Sequence, residues 1–195
     1  MAKTLLLVFF AFTAGMLLPA AAQETVFEIS DLNVGPGEPP DRIDRRSPRS
    51  AMASFIRAAD NEDWAAAAHL LNLNNLPAAR QESDGPELAH QLYDVIDRKA
   101  VLDWSTLLDR PDALQATGGE EEAQAGEPRR SLLLRDLPLD PVPAAIRIDR
   151  LKPDSTKVAV WVFSRETVEN VAALQGVDCG RGRGATFSRA SGILR

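Results

Sequence analysis

Residues 157–174 read KVAVWVFSRETVENVAAL, and the apolar period of this stretch changes once, at Ser164. Before it, Val158, Val160 and Val162 share one side of an extended chain, and Ala159, Trp161 and Phe163 share the other. A strand with no polar side needs cover on both faces. After it, Val168, Val171, Ala172 and Leu174 recur at helical spacing, with the Ser164 hydroxyl placed as a helix cap.

Working backwards, two more segments read as strands, SLLLRDL (131–137) and AAIRIDRL (144–151), the latter alternating Ile146 and Ile148 with Arg147 and Asp149. Pro138, Pro141 and Pro143 punctuate the first connection, and Lys152-Pro153-Asp154-Ser155 reads as a turn. Further upstream the period is helical. Ser47 followed by Pro48 is a helix-start signal, and Met52, Phe55, Ile56 and Ala59 make one apolar face. Asp60 and Asn61 break that helix and offer a cap to the next, in which Trp64, Ala67, Ala68 and Leu71 form the stripe. NLNNLP is a turn region ended by Pro77. A third helix is expected to start near Asp84-Gly85-Pro86-Glu87, by capping-box spacing, and to bury Leu88, Leu92, Val95 and Ile96. Helices first and strands later predict an α+β fold: three N-terminal helices, a small antiparallel three-stranded sheet with the helices on one face, a short helix, and a disordered C-terminal tail.

The 195 residues, 45% hydrophobic and 26% charged, are enough for one domain with a real core. The formal net charge of -6 provides no field to draw nucleic-acid phosphates, so no nucleic-acid partner is expected. At the N-terminus, Lys3 precedes an apolar run from Leu5 to Leu18, and Ala20-Ala21-Ala22 follows. This is the pattern of a secretory signal, residues 1–22, with cleavage before Gln23. The run is shorter than the roughly 20 apolar residues a spanning helix needs. No other segment is long and apolar enough to cross a bilayer, so an exported, periplasmic product with no transmembrane segment after cleavage is expected. Residues 23–46 are expected to be a linker without regular structure, because Pro36, Pro39 and Pro40 remove donors and fix φ. The ordered domain is expected over residues 47–174.

Residues carrying chemistry are few. His69 and His90 are the only histidines, and neither has a metal-ligand spacing or a neighbouring Cys or His. They read as ordinary helix residues. Glu120, Glu121 and Glu122 read as a solvated charge run without the alternating oxygen ligands of a calcium loop. Trp64, Trp104 and Trp161 fall at core positions. GRGRGA (180–185) has the wrong glycine spacing for a dinucleotide loop, with no strand before it and no helix after it. Cys179 is the only cysteine and cannot form an internal disulfide. No catalytic, cofactor-binding or metal-binding residue is assigned, and no cofactor is expected.

The phrases SPRSAMASFIRAADNEDWAAAAHLLNLNNLP, GPELAHQLYDVIDRKAVLDWSTLLDRPD, RRSLLLRDL, IRIDRLK and VWVFSRETV resemble, in order and spacing, the N-terminal extramembrane region of proteobacterial mechanosensitive ion channel proteins of the small-conductance (MscS) family. The resemblance covers about residues 31–174. It implies a non-catalytic periplasmic domain that precedes membrane helices, a small-residue-rich pore helix and a cytoplasmic β-domain, in a channel that opens under membrane tension. It further implies a place at the inner membrane for a full-length member, and association with a membrane protein or with itself. No position in this sequence matches the pore, so no pore residue is carried over. The alternative is a free-standing periplasmic binding module, resembling NTF2-like α+β cones, for a small apolar ligand or a protein partner. Residues 175–195, QGVDCGRGRGATFSRASGILR, hold five glycines and four arginines and depart from the family pattern. They are expected to be a disordered tail, entered by a shifted reading frame just before the membrane helices would begin.

Overall fold

The computed structural model describes residues 24–99, 104, 107–114, 128–137 and 144–176. In chain order its elements are β1 (Phe27–Ile29), α1 (Pro48–Asp60), α2 (Trp64–Ala68), α3 (Ala78–Lys99), β2 (Ser131–Leu137), β3 (Ala144–Pro153), β4 (Val160–Phe163), α4 (Arg165–Glu169) and α5 (Val171–Gly176). The fold is α+β.

The sheet is built around β3. β2 pairs antiparallel along its first half, from Ser131 opposite Asp149 to Leu137 opposite Ala144, with a bulge between Leu133 and Arg135. β4 pairs antiparallel on the other edge, from Phe163 opposite Ile148 to Val160 opposite Leu151. The alternation read from IRID holds, with Ile146 and Ile148 buried and Arg147 and Asp149 half-buried. β1 was not expected. It pairs parallel with the far end of β3, Phe27 opposite Leu151 and Ile29 opposite Pro153. The sheet is therefore four-stranded and mixed, not three-stranded and antiparallel, and the helices mostly follow the first strand. Three residues are too few to show a period, and β1 is held by tertiary contacts rather than by its own pattern.

The helices cover one face. α1 starts as read, with Ser47 as cap and Pro48 in the first turn; the Ser50 N–H donates to Ser47 Oγ at 3.1 Å, and Ser50 Oγ accepts from the Ser47 N–H at 3.0 Å. Met52 and Phe55 are buried from α1, Leu92, Val95 and Ile96 from α3, and Trp161 and Phe163 from β4. The Phe55 and Phe163 rings meet edge to face with centroids 4.8 Å apart. Beyond Phe163, the outer edge of β4 is covered: its N–H donates to the Leu70 carbonyl at 2.7 Å, and its carbonyl accepts from the Asn72 N–H at 3.0 Å. The expected double cover of this strand holds for Trp161, Val162 and Phe163, while Val158 lies ahead of the strand and is exposed.

Three helical boundaries differ from expectation. α2 is a five-residue helix capped by Asp63, whose carboxylate accepts from the Ala66 N–H at 3.1 Å. Asn61 instead caps the end of α1, and Leu71 lies beyond α2 as a bridge to Phe163. α3 begins directly after Pro77, not near Asp84, and runs through Pro86. Asp84 pairs with Arg80 one turn back rather than capping. Pro86 removes one intrahelical donor, a local cost of about 3 kcal/mol against alanine, yet the helix continues and buries the apolar stripe that follows it, Ala89, Leu92, Val95 and Ile96. Gly85 fits this helix against its neighbours, since a Cβ there would lie 2.9 Å from Leu73 Cδ1 and 3.2 Å from Ala68 Cβ. The last helix is divided at Asn170 into α4 and α5; Ser164 caps α4, accepting from the Thr167 N–H at 3.1 Å.

The expected signal at 1–22, the glutamates at 120–122 and the tail from Val177 onward lie outside the described residues, while Gln175 and Gly176 complete α5.

Candidate functional site

The stretch 23–46 was read as a linker, and it is here that polar side chains converge. Asn33 adopts φ 52, a left-handed conformation that asparagine tolerates better than most residues. It is buried against the segment that follows α2. Its Nδ2 donates to the Leu71 carbonyl at 2.6 Å, and its Oδ1 accepts from the Leu73 N–H at 2.8 Å. Its own N–H donates to Asn74 Oδ1 at 3.0 Å. Two residues on, the Gly35 N–H donates to Gln81 Oε1 at 2.9 Å, while Gln81 Nε2 donates back to the Leu76 carbonyl at 3.0 Å. A Cβ on Gly35 would lie 2.0 Å from the Ala78 carbonyl oxygen, so only glycine fits at the start of α3. At the N-terminal side, Glu24 lies between Arg150 Nη2 at 2.9 Å and Lys152 Nζ at 2.6 Å. The Lys152 hydrogen bond is the main influence holding the Glu24 carboxyl below its usual range, with both cations adding attraction. Arg150 is buried, which makes this pair the anchor of β1 on β3.

A second polar group sits beside α1 and α2. Arg42 is paired with Asp63, the cap of α2. Arg45 Nη1 donates to the His69 carbonyl at 3.1 Å, and the Arg45 carbonyl accepts from the Trp161 N–H at 2.8 Å. The Trp161 indole donates to the Pro111 carbonyl at 2.8 Å, which satisfies its only donor inside the core. His69 ends α2 and is buried. Burial, then the positive charges of Arg45 and Arg42, push its pKa below the usual 6.5, against a weaker opposing pull from Asp63. His90 is elsewhere, exposed on α3 and stacked on Trp64 with ring centroids 4.5 Å apart. The two histidines thus serve different packing tasks. No group of three His, Cys, Asp or Glu side chains suited to a metal occurs among the described residues. Cys179 lies outside them.

Surface hollows are shallow and charged. One of about 470 Å³ is lined by Glu24, Glu28, Arg130 and Lys152 with Phe27. One of about 150 Å³ lies between Arg42, Asp63 and Arg57. A third, of about 190 Å³, opens beside β2 between Arg129 and Arg147. In it, Arg147 Nε donates to Ser131 Oγ at 3.1 Å, and Arg129 Nε is buried with no hydrogen-bond partner.

Sequence reasoning missed the Asn33 and Glu24 anchorages. The available signal for the first was Asn33 beside Gly35, since asparagine and glycine together mark left-handed backbone. Nothing in sequence paired Glu24 with Arg150, which is 126 residues away.

Comparison with protein-family models, with characterised proteins and with solved structures finds no match. No helix among the described residues is long and apolar enough to cross a membrane.

Proposed function

We propose that this chain is a non-catalytic periplasmic domain of the kind that forms the front part of an MscS-type mechanosensitive channel. The supporting observation is where the five resembling phrases fall. SPRSAMASF…LNNLP supplies Met52, Phe55, Leu70, Leu71 and Leu73; GPELAHQLYDVIDR supplies Leu92, Val95 and Ile96. RRSLLLRDL supplies Leu132 and Leu137, IRIDRLK supplies Ile146 and Ile148, and VWVFSRETV supplies Trp161, Phe163 and Val168. All belong to one contiguous core. The phrases that resemble the family are thus the ones that specify packing, which is what a shared fold requires. The role that follows is structural: a rigid body beside the membrane part of a channel, or a docking body for a periplasmic partner.

The alternative, a module enclosing a small apolar ligand, has less support. Phe55, Leu92, Trp161 and Phe163 occupy the space between helices and sheet where such a chamber would lie.

Two measurements test the proposal. Translating the DNA downstream of the Leu174 codon in three frames is expected to reveal apolar segments of about 20 residues. Finding none in any frame overturns the channel reading. Osmotic-shock fractionation with intact-mass analysis is expected to place a chain beginning at Gln23 in the periplasm; an uncleaved cytoplasmic product overturns the export reading.

A further inference from the structure

We propose that the hollow beside β2 is a binding site for a small oxyanion carrying a short apolar body, such as an aromatic or branched carboxylate. The inference is independent of the channel reading. It rests on an imbalance of charge and hydrogen bonding at one place. Arg129 and Arg147 both line the hollow, and neither forms an ion pair with a carboxylate among the described residues. This chain pairs most of its other described arginines within reach of an acid, as Arg42, Arg46, Arg80, Arg98, Arg110 and Arg150 demonstrate.

The unpartnered atom sharpens the point. Arg129 Nε is a charged-group donor removed from water, and leaving such a donor unmade costs more than a neutral one. Such orphans in folded proteins mark a missing water, ion or ligand. Ser131 Oγ accepts from Arg147 Nε at 3.1 Å and hydrogen-bonds the Asp149 carboxylate, so it positions Arg147 rather than offering a free donor. The hollow thus offers two guanidinium groups, a donor set suited to a planar oxyanion. Asp149 competes for it. It pairs in register with Ser131 and interacts with Ser131 and Arg147, but its carboxyl is not part of the lining.

The remaining walls are apolar, with Leu107, Leu133 and Leu134 among them. Leu133 is 46% exposed, between buried Leu132 and half-buried Leu134, so it can gain cover from a ligand. The hollow measures about 190 Å³. A cavity of about 150 Å³ already holds a benzene-sized molecule. A benzoate-sized anion therefore fits, and a drug-sized ligand, which needs roughly 300 Å³ or more, does not.

The test is a titration of the mature chain by two-dimensional NMR, following the arginine Nε–Hε signals and the amides of Ser131 to Leu134. Sodium benzoate, sodium phosphate and sodium chloride are compared at matched ionic strength. Benzoate is expected to move the Arg129 and Arg147 signals saturably, at millimolar concentration. Arg129→Gln is expected to weaken benzoate about tenfold, the loss of one charge-assisted hydrogen bond. Leu133→Ser is expected to weaken benzoate and leave phosphate unchanged. A response to benzoate no larger than to chloride overturns the proposal, as does benzoate binding that survives Arg129→Gln unchanged. Phosphate binding with no benzoate response overturns the apolar part. Arg129 precedes β2 and lies outside every helix and strand, so its variant is the one least exposed to misfolding; circular dichroism of each variant checks this.

Discussion

The decisive perturbation is Asn33→Ala. It asks whether residues 24–46 are part of the folded body or a tether. Removing the side chain leaves the Leu73 N–H and the Leu71 carbonyl without the partners that now lie at 2.8 and 2.6 Å. Both of those residues are fully buried. Each orphaned backbone group costs about 1–3 kcal/mol. Alanine at φ 52 adds strain of about 1 kcal/mol, because its Cβ crowds the backbone in the left-handed region. The expected loss is about 3–7 kcal/mol, a large share of the roughly 5–15 kcal/mol that holds a domain folded. Asn33→Gly loses the same hydrogen bonds but is spared the strain, so it should lie about 1 kcal/mol above the alanine variant. Equilibrium urea unfolding, followed by tryptophan fluorescence and far-UV circular dichroism, measures both. Trypsin sensitivity at Arg42 and Arg46 should rise in parallel. If Asn33→Ala falls within about 0.5 kcal/mol of the parent, the level of an ordinary surface change, the segment is a tether and the anchorage argued here is wrong.

Three further changes have signed outcomes. His69 has a folded pKa below its unfolded 6.5, from burial and from Arg45 and Arg42, with Asp63 opposing. The unfolded chain therefore binds the proton more readily, so stability should fall as pH drops from 7 through 6.5 and level off below the folded pKa; His69→Gln should flatten that slope in urea melts at pH 5 to 7, and an unchanged slope refutes the assignment. Trp161→Phe removes the donor that satisfies the Pro111 carbonyl and leaves a void in the core; a loss of about 2–4 kcal/mol by thermal or urea unfolding is expected, and a loss under about 1 kcal/mol would place the indole elsewhere. Pro86→Ala returns a donor to the middle of α3 and should stabilise the chain by about 1–3 kcal/mol; destabilisation would indicate that the packing of α3 depends on the proline.

Legibility divided along a physical line. Elements that carry their own period were readable. β2 and β3 begin where SLLLRDL and AAIRIDRL begin, and Ser47 and Ser164 cap the helices they were expected to cap. Elements set by distant partners were not. β1 has three residues and no period, and it exists because Arg150 and Lys152 hold Glu24 beside β3. The start of α3 was misplaced because Asp84 and Glu87 mimic a capping box, while the true start is fixed by Gly35, which packs on Ala78 and donates its N–H to Gln81 Oε1 in the first turn. Prolines near 36–40 argued correctly against a long strand and wrongly against order, since backbone lacking regular structure can still be pinned by side chains. The hollow at Arg129 and Arg147 could not be read at all, because it depends on the register that sets Leu133 opposite Arg147.

The interior polar groups give a common account of stability and site. Asn33, Gln81, Trp161 and Thr167 each spend their hydrogen bonds on backbone atoms of another segment: Leu71 and Leu73, Leu76, Pro111, and Arg147 respectively. Groups closed in this way fix the relative placement of segments. Arg129 departs from that pattern. Its own N–H donates to the Asp112 carbonyl at 2.9 Å just ahead of β2, and its Nε is the buried side-chain donor left open among the described residues. A small molecule bound in that hollow would meet β2 first and reach β3 through the Arg147 Nε–Ser131 Oγ hydrogen bond.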